Sequence, residues 1–300
     1  MKIILTGSLG HISKPLATEL LQKGHSVTVI SSKAERQKDI EALGAIAAIG
    51  TMEDAEFLSQ TFKGADIVYL MEAVGGSAYF DANFDIAAAH EEISNNYVHA
   101  VKQSGVKRIV HLSSIGAHTD QGVGLLSYHH HIENALKELP DDVSIKFMRP
   151  VGFYYNMFGF IPAIKGQDMI VQNYGGDEKE PWVSPMDIAA AIAEEMEKPF
   201  QGRTVRYIAS DEVSPNEVAK VLGEELGKPD LQWCAITDEQ LLNGMIGAGM
   251  NPVIAKGLVD MNASRVNGVL YEDYYRNHPT LGKIKLADFA KEFATVYNQQ

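Results

Sequence analysis

The 300-residue chain has a single cysteine, Cys234. One thiol excludes an intramolecular disulfide framework and a cysteine-built zinc site, and it is the usage expected of a cytoplasmic protein. Positive charge is also scarce. Lys and Arg number 26 against 39 Asp and Glu, a net charge of −13. The acid excess is spread over both halves, not gathered in a tail. No broad surface is left to attract phosphate backbones or anionic lipid, so neither nucleic acid nor membrane is an expected partner. Long apolar runs are missing too. None reaches about 18 residues, and the apolar start at Met1–Leu5 is too short for a signal peptide. What is present is 45% hydrophobic and 22% charged residues. That is ordinary globular composition, enough for one large domain or one and a half.

Short β-rich runs alternate with helical patterns through the first half. Strands are expected at 2–6, 26–31, 45–49, 67–71, 108–113 and 144–148. Helices are expected between them, at 15–23, 34–43, 54–62, 84–103 and 126–139. Four of these helices run into Gly24, Gly44, Gly64 and Gly105, residues suited to a left-handed cap. Repeated strand–helix–glycine–strand units predict an α/β fold, a doubly wound parallel Rossmann sheet. The second half is less regular. Val183–Asp187 opens an alanine-rich helix, 203–209 reads as a strand, and Ser214-Pro215-Asn216-Glu217 reads as a capping box. Further helices are expected near 238–245, 252–261 and 286–297, and a strand holding Cys234 as a buried, inert residue at 231–236. This half predicts a smaller, mainly helical C-terminal lobe. The expected division is residues 1–150 plus about 183–210 for the sheet domain, and about 151–182 plus 211–300 for the lobe.

Gly7-Ser8-Leu9-Gly10-His11-Ile12-Ser13 follows the first strand and opens the first helix. The first glycine permits the turn, and the second lets a pyrophosphate approach the backbone. The helix N-terminus then offers free N–H groups and a positive dipole end. Gly7, Leu9, Gly10, His11 and Ile12 are therefore expected at a dinucleotide. Ser13 stands where a third glycine is usual, and close helix–strand packing there is expected to be strained.

This start resembles that of extended and atypical short-chain dehydrogenases/reductases. More of the chain then falls into the pattern. Gly50–Asp54 stands where the family has a GDxxD turn. Val106–Ser114 is similar to its serine-ended strand, Arg149–Asn156 to the RPxxFxxN element of the NmrA-like subgroup, and Val183–Ala189 to its VxxxDIA helix start. Gly282-Lys283 with Leu286–Phe289 is similar to its C-terminal ending. The resemblance implies cofactor contacts at Thr51, Glu72, Ala73, Val151 and Phe153, and an asparagine, Asn95 or Asn96, bridging helix and strand.

An NAD-selective Rossmann site places a carboxylate at the end of its second strand. Here the sequence is Ile30-Ser31-Ser32-Lys33-Ala34, with Arg36 following. Two hydroxyls and two cations suit a 2′-phosphate, so NADP is expected over NAD, although Ser32 stands where the subgroup carries arginine. Lys33 and Arg36 as merely solvated residues are the competing reading.

The superfamily's catalytic tyrosine and lysine lie four residues apart. Tyr128 is followed by Ile132. Aligning Glu133–Leu136 with the family's ExxL puts His129 at the lysine position and Leu125 at the tyrosine position. The resemblance thus implies loss of the Tyr–Lys pair and an HxxxE form, as in the related quinone reductases. Reduction of a quinone-like or other small electrophilic acceptor then remains open, with His129 as acid or cofactor contact and Ser113 as catalytic or positioning group. Successive helix residues point about 100° apart, so His129, His130 and His131 are not expected to hold a metal. The aromatic run after the sixth strand gives Tyr154, Tyr155 and Asn156 as substrate-cleft candidates, with packing between the lobes as the alternative. The partner is a small-molecule substrate. Alternatively the chain is a non-catalytic NADP(H) sensor acting through a regulatory protein partner.

Overall fold

The structure is a computed structural model, and it describes residues 1–299. Seven strands make one parallel sheet: β1 (Lys2–Leu5), β2 (Ser26–Ser31), β3 (Ile46–Ile49), β4 (Ile67–Leu70), β5 (Arg108–Leu112), β6 (Ser144–Pro150) and β10 (Arg203–Ile208). Their order is β10-β6-β5-β4-β1-β2-β3. The order reverses between β1 and β4, and such a reversal opens a crevice at the strand C-termini. These strands form because β-branched and aromatic residues fill both faces, as a sheet covered on each side requires. The expected strands all appear, each end within two residues of its expected place.

Helices cover both faces. On one side α1 (Ser13–Gln22) packs against α7 (Pro185–Glu197), over a core that includes Ile3, Leu5, Leu16, Leu20 and Ile192. On the other lie α3 (Ala55–Phe62), α4 (Ile86–Ser104) and α5 (Ser127–Lys137), over Ile4, Phe62, Tyr97, Ile109 and Phe147. The short α2 (Gln37–Ala42) follows β2. Gly24, Gly44, Gly64 and Gly105 all take positive φ, as their place after a helix requires.

A third core lies apart from the sheet, built on Tyr154, Ile164, Trp182, Leu222, Phe289 and Phe293. Around it stand the short strands β7 (Gly152–Phe153), β8 (Met169–Gln172), β9 (Glu180–Val183), β11 (Asp211–Val213) and β12 (Gln232–Ala235). The helices of this region are α6 (Ile161–Gln167), α8 (Pro215–Leu226), α9 (Asp238–Gly247), α10 (Pro252–Val266), α11 (Glu272–Asn277) and α12 (Leu286–Gln299). The capping box at Ser214 and Glu217 forms as its residues imply. Of these small strands only β12 is legible beforehand, and its Cys234 is half-buried, not buried as expected. No helix among the described residues is long and apolar enough to cross a membrane.

The two sheet edges differ. β10 ends the sheet with Arg203 and Arg206, and the Arg206 guanidinium meets Glu195 at 2.8 Å. β3 ends it with four residues, among them the exposed Ile46 and Ile49.

Candidate functional site

The glycine loop lies at the reversal point. Thr6 fixes it: its hydroxyl donates to the Tyr69 carbonyl at 3.2 Å and accepts from the Met71 N–H at 2.9 Å. These bonds join the ends of β1 and β4. Gly7 has φ +85°, and a Cβ there would stand 2.2 Å from the Met71 sulfur. Only glycine satisfies both conditions. Ser13 is not strained. It is buried, and its hydroxyl donates to the Thr6 carbonyl at 3.2 Å. The first turn of α1 carries no acidic residue, and no side chain caps its N-terminus. Its dipole end is free to meet an anion.

A cavity of about 380 Å³ opens beside this loop, lined by Gly7, Ser8, Ser31, Ser32, Lys33, Thr51 and Ala73. The Ser8 hydroxyl donates to that of Ser31 at 2.9 Å. No carboxylate stands at the end of β2. Met52 and Glu53 of the Gly50–Asp54 turn and Val74 and Gly75 of the loop after Ala73 also line the cavity, though not singled out as contacts by the sequence. Asp54 caps α3 by accepting from the Phe57 N–H at 2.9 Å. Asn96 donates from α4 to the Met52 carbonyl at 3.2 Å, joining the helix to the turn after β3 and not to a strand.

Nine expected cofactor residues do not line this cavity: Leu9, Gly10, His11, Ile12, Arg36, Glu72, His129, Val151 and Phe153. Arg36 is exposed, does not line the cavity, and pairs with Asp39 at 3.3 Å, one helical turn away. Glu72 ends β4 with its carboxylate turned inward, 1% exposed. Both of its oxygens lie 3.2 Å from His111 Nε2. His111 itself is fully buried on β5. The signal for this pair was present. A histidine inside the apolar run Ile109-Val110-His111-Leu112 of a central strand needs a partner. The register sets His111 beside Leu70, two residues before Glu72.

On the far side of the glycine loop a second cavity of about 320 Å³ is lined by His11, Tyr155, Ser184, Met186, Asp288 and Phe289. The His11 and Tyr155 rings lie 3.9 Å apart. Leu9 and Phe153 are half-buried against the sheet core, while Ile12 and Val151 belong to it. Tyr154 does not face a cleft. It is buried in the third core, stacked on Phe289 at 5.2 Å, because a side chain one residue from Tyr155 turns the other way. Asn156 is exposed and lines neither cavity.

Ser113 is buried, and its hydroxyl donates to Glu133 Oε1 at 2.6 Å. Glu133 in turn receives Arg149 through both oxygens. Arg149 also reaches the Tyr207 hydroxyl at 3.0 Å and Asp273 at 3.1 Å. Ser113 is therefore a member of a buried ionic network. Burial opposes the charge on Glu133, but Arg149 and Ser113 outweigh it and hold the carboxyl below its ordinary range.

The three histidines of α5 go three ways. His130 meets the Ala117 carbonyl at 3.0 Å, and His131 is exposed on the outer groove between α4 and α5. His129 turns inward and lines neither of the two cavities beside the glycine loop. Burial, then the charges of His111 and His90, hold its pKa well below the ordinary histidine value. Tyr128 lies between His90 and His129, at 3.8 and 4.1 Å between ring centroids. Leu125 packs on α10 at Gly257.

Asp187 of the VxxxDIA segment accepts from Ser210 at 2.6 Å and from the N–H groups of Lys283 and Ile284 at 3.1 and 3.0 Å. It thus ties the C-terminal GK turn to the start of α7.

A family model described as the NmrA-like family matches residues 1–265. An NAD(P)H azoreductase of Xenophilus azovorans is 22% identical over 262 residues, covering 87% of this chain and 86% of its own. Among solved structures, the NADPH-dependent quinone oxidoreductase of Escherichia coli complexed with NADPH superposes with a TM-score of 0.77 at 20% identity, covering 97% of this chain and 99% of that one. The Citrobacter sp. triphenylmethane reductase complexed with NADP(H) gives 0.74 at 18% identity, over 97% and 99%.

Proposed function

Since the chain belongs to the NmrA-like family, we propose that it is an NADPH-dependent oxidoreductase that reduces a quinone-like or other small electrophilic acceptor. The observation that carries this reading is the cavity at the glycine loop. It combines the Ser8–Ser31 hydroxyl pair and Lys33 with a β2 end that carries no carboxylate, Glu53 being the carboxylate on its wall, and the glycine loop beside it leads into the uncapped N-terminus of α1. When bound, NADPH supplies hydride to the acceptor. Gly7, Gly10 and the α1 N-terminus hold the pyrophosphate. Ser31, Ser32 and Lys33 hold the adenosine 2′-phosphate, and Ala73 and Thr51 wall the adenosine side. The names of the azoreductase relative and of the two reductase structures support both the cofactor and an acceptor that is planar and easily reduced.

On this reading Leu125 stands at the tyrosine position, and α5 does not supply the usual tyrosine acid. Leu125 cannot donate a proton, and His129 is neutral at neutral pH. An acceptor whose reduced form takes its proton from water fits this arrangement, and a simple alcohol substrate does not. Tyr155, His11 and Met186 offer the planar surface on the acceptor side. Under this reading residues 1–150 and about 183–210 hold the cofactor, residues 151–182 and 211–300 shape the acceptor side, and the protein works in the cytoplasm.

The test is a fluorescence titration with NADPH and with NADH, followed by a quinone and an azo dye in the same cuvette. Tighter NADPH binding with acceptor-dependent oxidation is the expected result. Binding without turnover would replace the reductase with a redox sensor that acts through a protein partner. No binding would remove both.

A further inference from the structure

Residues 73–84 form a strap from β4 to α4. Its first residues, Ala73, Val74 and Gly75, wall the 380 Å³ cavity. Inside the strap the hydrogen bonds are local, from Ala78 to Gly75, Asp81 to Ala78 and Phe84 to Asp81. Among the described residues, its only hydrogen bonds to a distant part of the chain go to one side, Asn251. The Asn251 backbone N–H donates to the Tyr79 carbonyl at 2.9 Å. Its side-chain Nδ2 donates to the carbonyls of Asp81 at 2.8 Å and Phe84 at 3.2 Å.

The other end of the same side chain does a different task. Asn251 Oδ1 accepts from the N–H groups of Val253 at 2.9 Å and Ile254 at 3.4 Å, and so caps α10. Asn251 is 3% exposed, and both its donors and its acceptor oxygen are occupied. Helix α10 runs on from this cap. It packs so closely on Gly124 that a Cβ there would lie 2.2 Å from the Gly257 carbonyl oxygen. One residue before its end, Arg265 comes within 3.4 Å of where a Cβ on Gly152 would stand. One helix with its N-cap therefore touches the strap, the turn before α5 and β7.

We propose that Asn251 is a positioning residue for the cofactor: it fixes the strap against α10 and thereby sets NADPH affinity from outside the cofactor cavity. This rests on the cofactor reading of that cavity. The strap's two adjacent glycines, Gly75 and Gly76, leave its backbone free to swing. Three hydrogen bonds from Asn251 hold it, and the two that its side chain makes are each of the size that changes an equilibrium severalfold.

The two ends of the side chain allow a clean test. Asn251→Asp and Asn251→Ser both keep a capping oxygen for α10, and neither keeps the amide donors. The serine variant adds no charge near the cofactor phosphates. Both are expected to keep the far-UV spectrum; the serine variant is expected to lose a few degrees of melting temperature, and the aspartate variant more, because its carboxylate would face the Asp81 and Phe84 carbonyls. Amide hydrogen exchange across residues 76–84 of the unliganded protein is expected to rise. The Kd for NADPH is expected to weaken by about five- to thirtyfold. Asn251→Ala, which also loses the cap, is expected to lose more melting temperature than the serine variant. Unchanged exchange in the strap, or unchanged Kd in the serine variant, overturns the proposal. Wild-type protein that fails to bind NADPH overturns the cofactor reading instead. That result appears in the first titration, before any variant is compared, and strap exchange in unliganded protein still reports whether Asn251 holds the strap.

Discussion

The Arg149 guanidinium grips the Glu133 carboxylate in a parallel pair of hydrogen bonds, Nε to Oε1 at 2.8 Å and Nη2 to Oε2 at 2.7 Å. Both residues are buried, and they join α5 to the end of β6. Breaking such a pair leaves an uncompensated charge in the interior. Arg149→Met is expected to cost about 3–5 kcal/mol, read by urea denaturation. Ser113→Ala removes only one bond to the same carboxylate. It is expected to cost about 1–2 kcal/mol and to leave NADPH affinity within twofold of wild type, since the hydroxyl serves the network. A large loss of turnover in Ser113→Ala at unchanged stability would return this serine to catalysis.

Lys33 is the cation on the cavity wall, and Arg36 is not. Lys33→Ala is expected to weaken NADPH binding about tenfold and leave NADH almost unchanged, while Arg36→Ala changes neither. Parallel titrations with the two cofactors decide it. An equal loss for both would mean that Lys33 meets the pyrophosphate.

Gly7 combines positive φ with the contact to Met71. Gly7→Ala is expected to lose about 2–4 kcal/mol of stability and all measurable cofactor binding. Adding Met71→Ala relieves the contact and not the backbone strain, so only part of the stability returns. Thermal denaturation of the single and double variants separates the two contributions.

Acid is expected to attack the far end of the sheet. Burial would raise the Glu195 carboxyl, but Lys198, Lys146 and Arg206 outweigh it and bring its pKa down to about 2, from an ordinary 4.5. A carboxylate depressed in the folded state stabilises fully above its unfolded pKa, and the contribution is lost as pH falls through the folded value. Stability should therefore drop between about pH 4.5 and 2. Glu195→Gln should flatten that part of the profile, which chemical denaturation at a series of pH values would show.

His129 has the opposite chemistry and loses stability in the same direction. Its folded pKa lies below the unfolded one, so the unfolded chain takes up the proton first. Its contribution is present above the unfolded histidine pKa, about 6.5, and declines as pH falls below that value. The His129 ring resonances are expected not to titrate between pH 8 and 6 by NMR. A normal titration there would restore His129 as a proton donor at neutral pH.

The parts of this molecule carried by neighbours in sequence were legible without coordinates. The glycine loop, the capping box at Ser214 and the glycine caps each depend on residues a few positions apart, so local physics specifies them. The parts built by topology were not. Glu133 needs Arg149, 16 positions on, and Asn251 needs a strap about 170 positions back. No spacing rule relates such residues, because the pairing follows from which elements the fold sets side by side. The Glu72 carboxylate turns away from the cavity for that reason: a neighbouring strand offers it a partner in His111. Tyr154 fails for a simpler one. In an aromatic run the period of the backbone decides which rings face inward, and the run alone does not give the phase.

The unequal rims of the sheet bear on how the protein behaves when crowded. Along β10 a foreign strand would have to settle beside Arg203 and Arg206, and guanidinium groups at a rim deter that kind of docking. Along β3 it would meet Ile46 and Ile49, with no charge on the strand to repel it. Intermolecular sheet growth, in a concentrated stock or during refolding, accordingly begins at β3. The brevity of that strand, four residues, keeps each such contact weak.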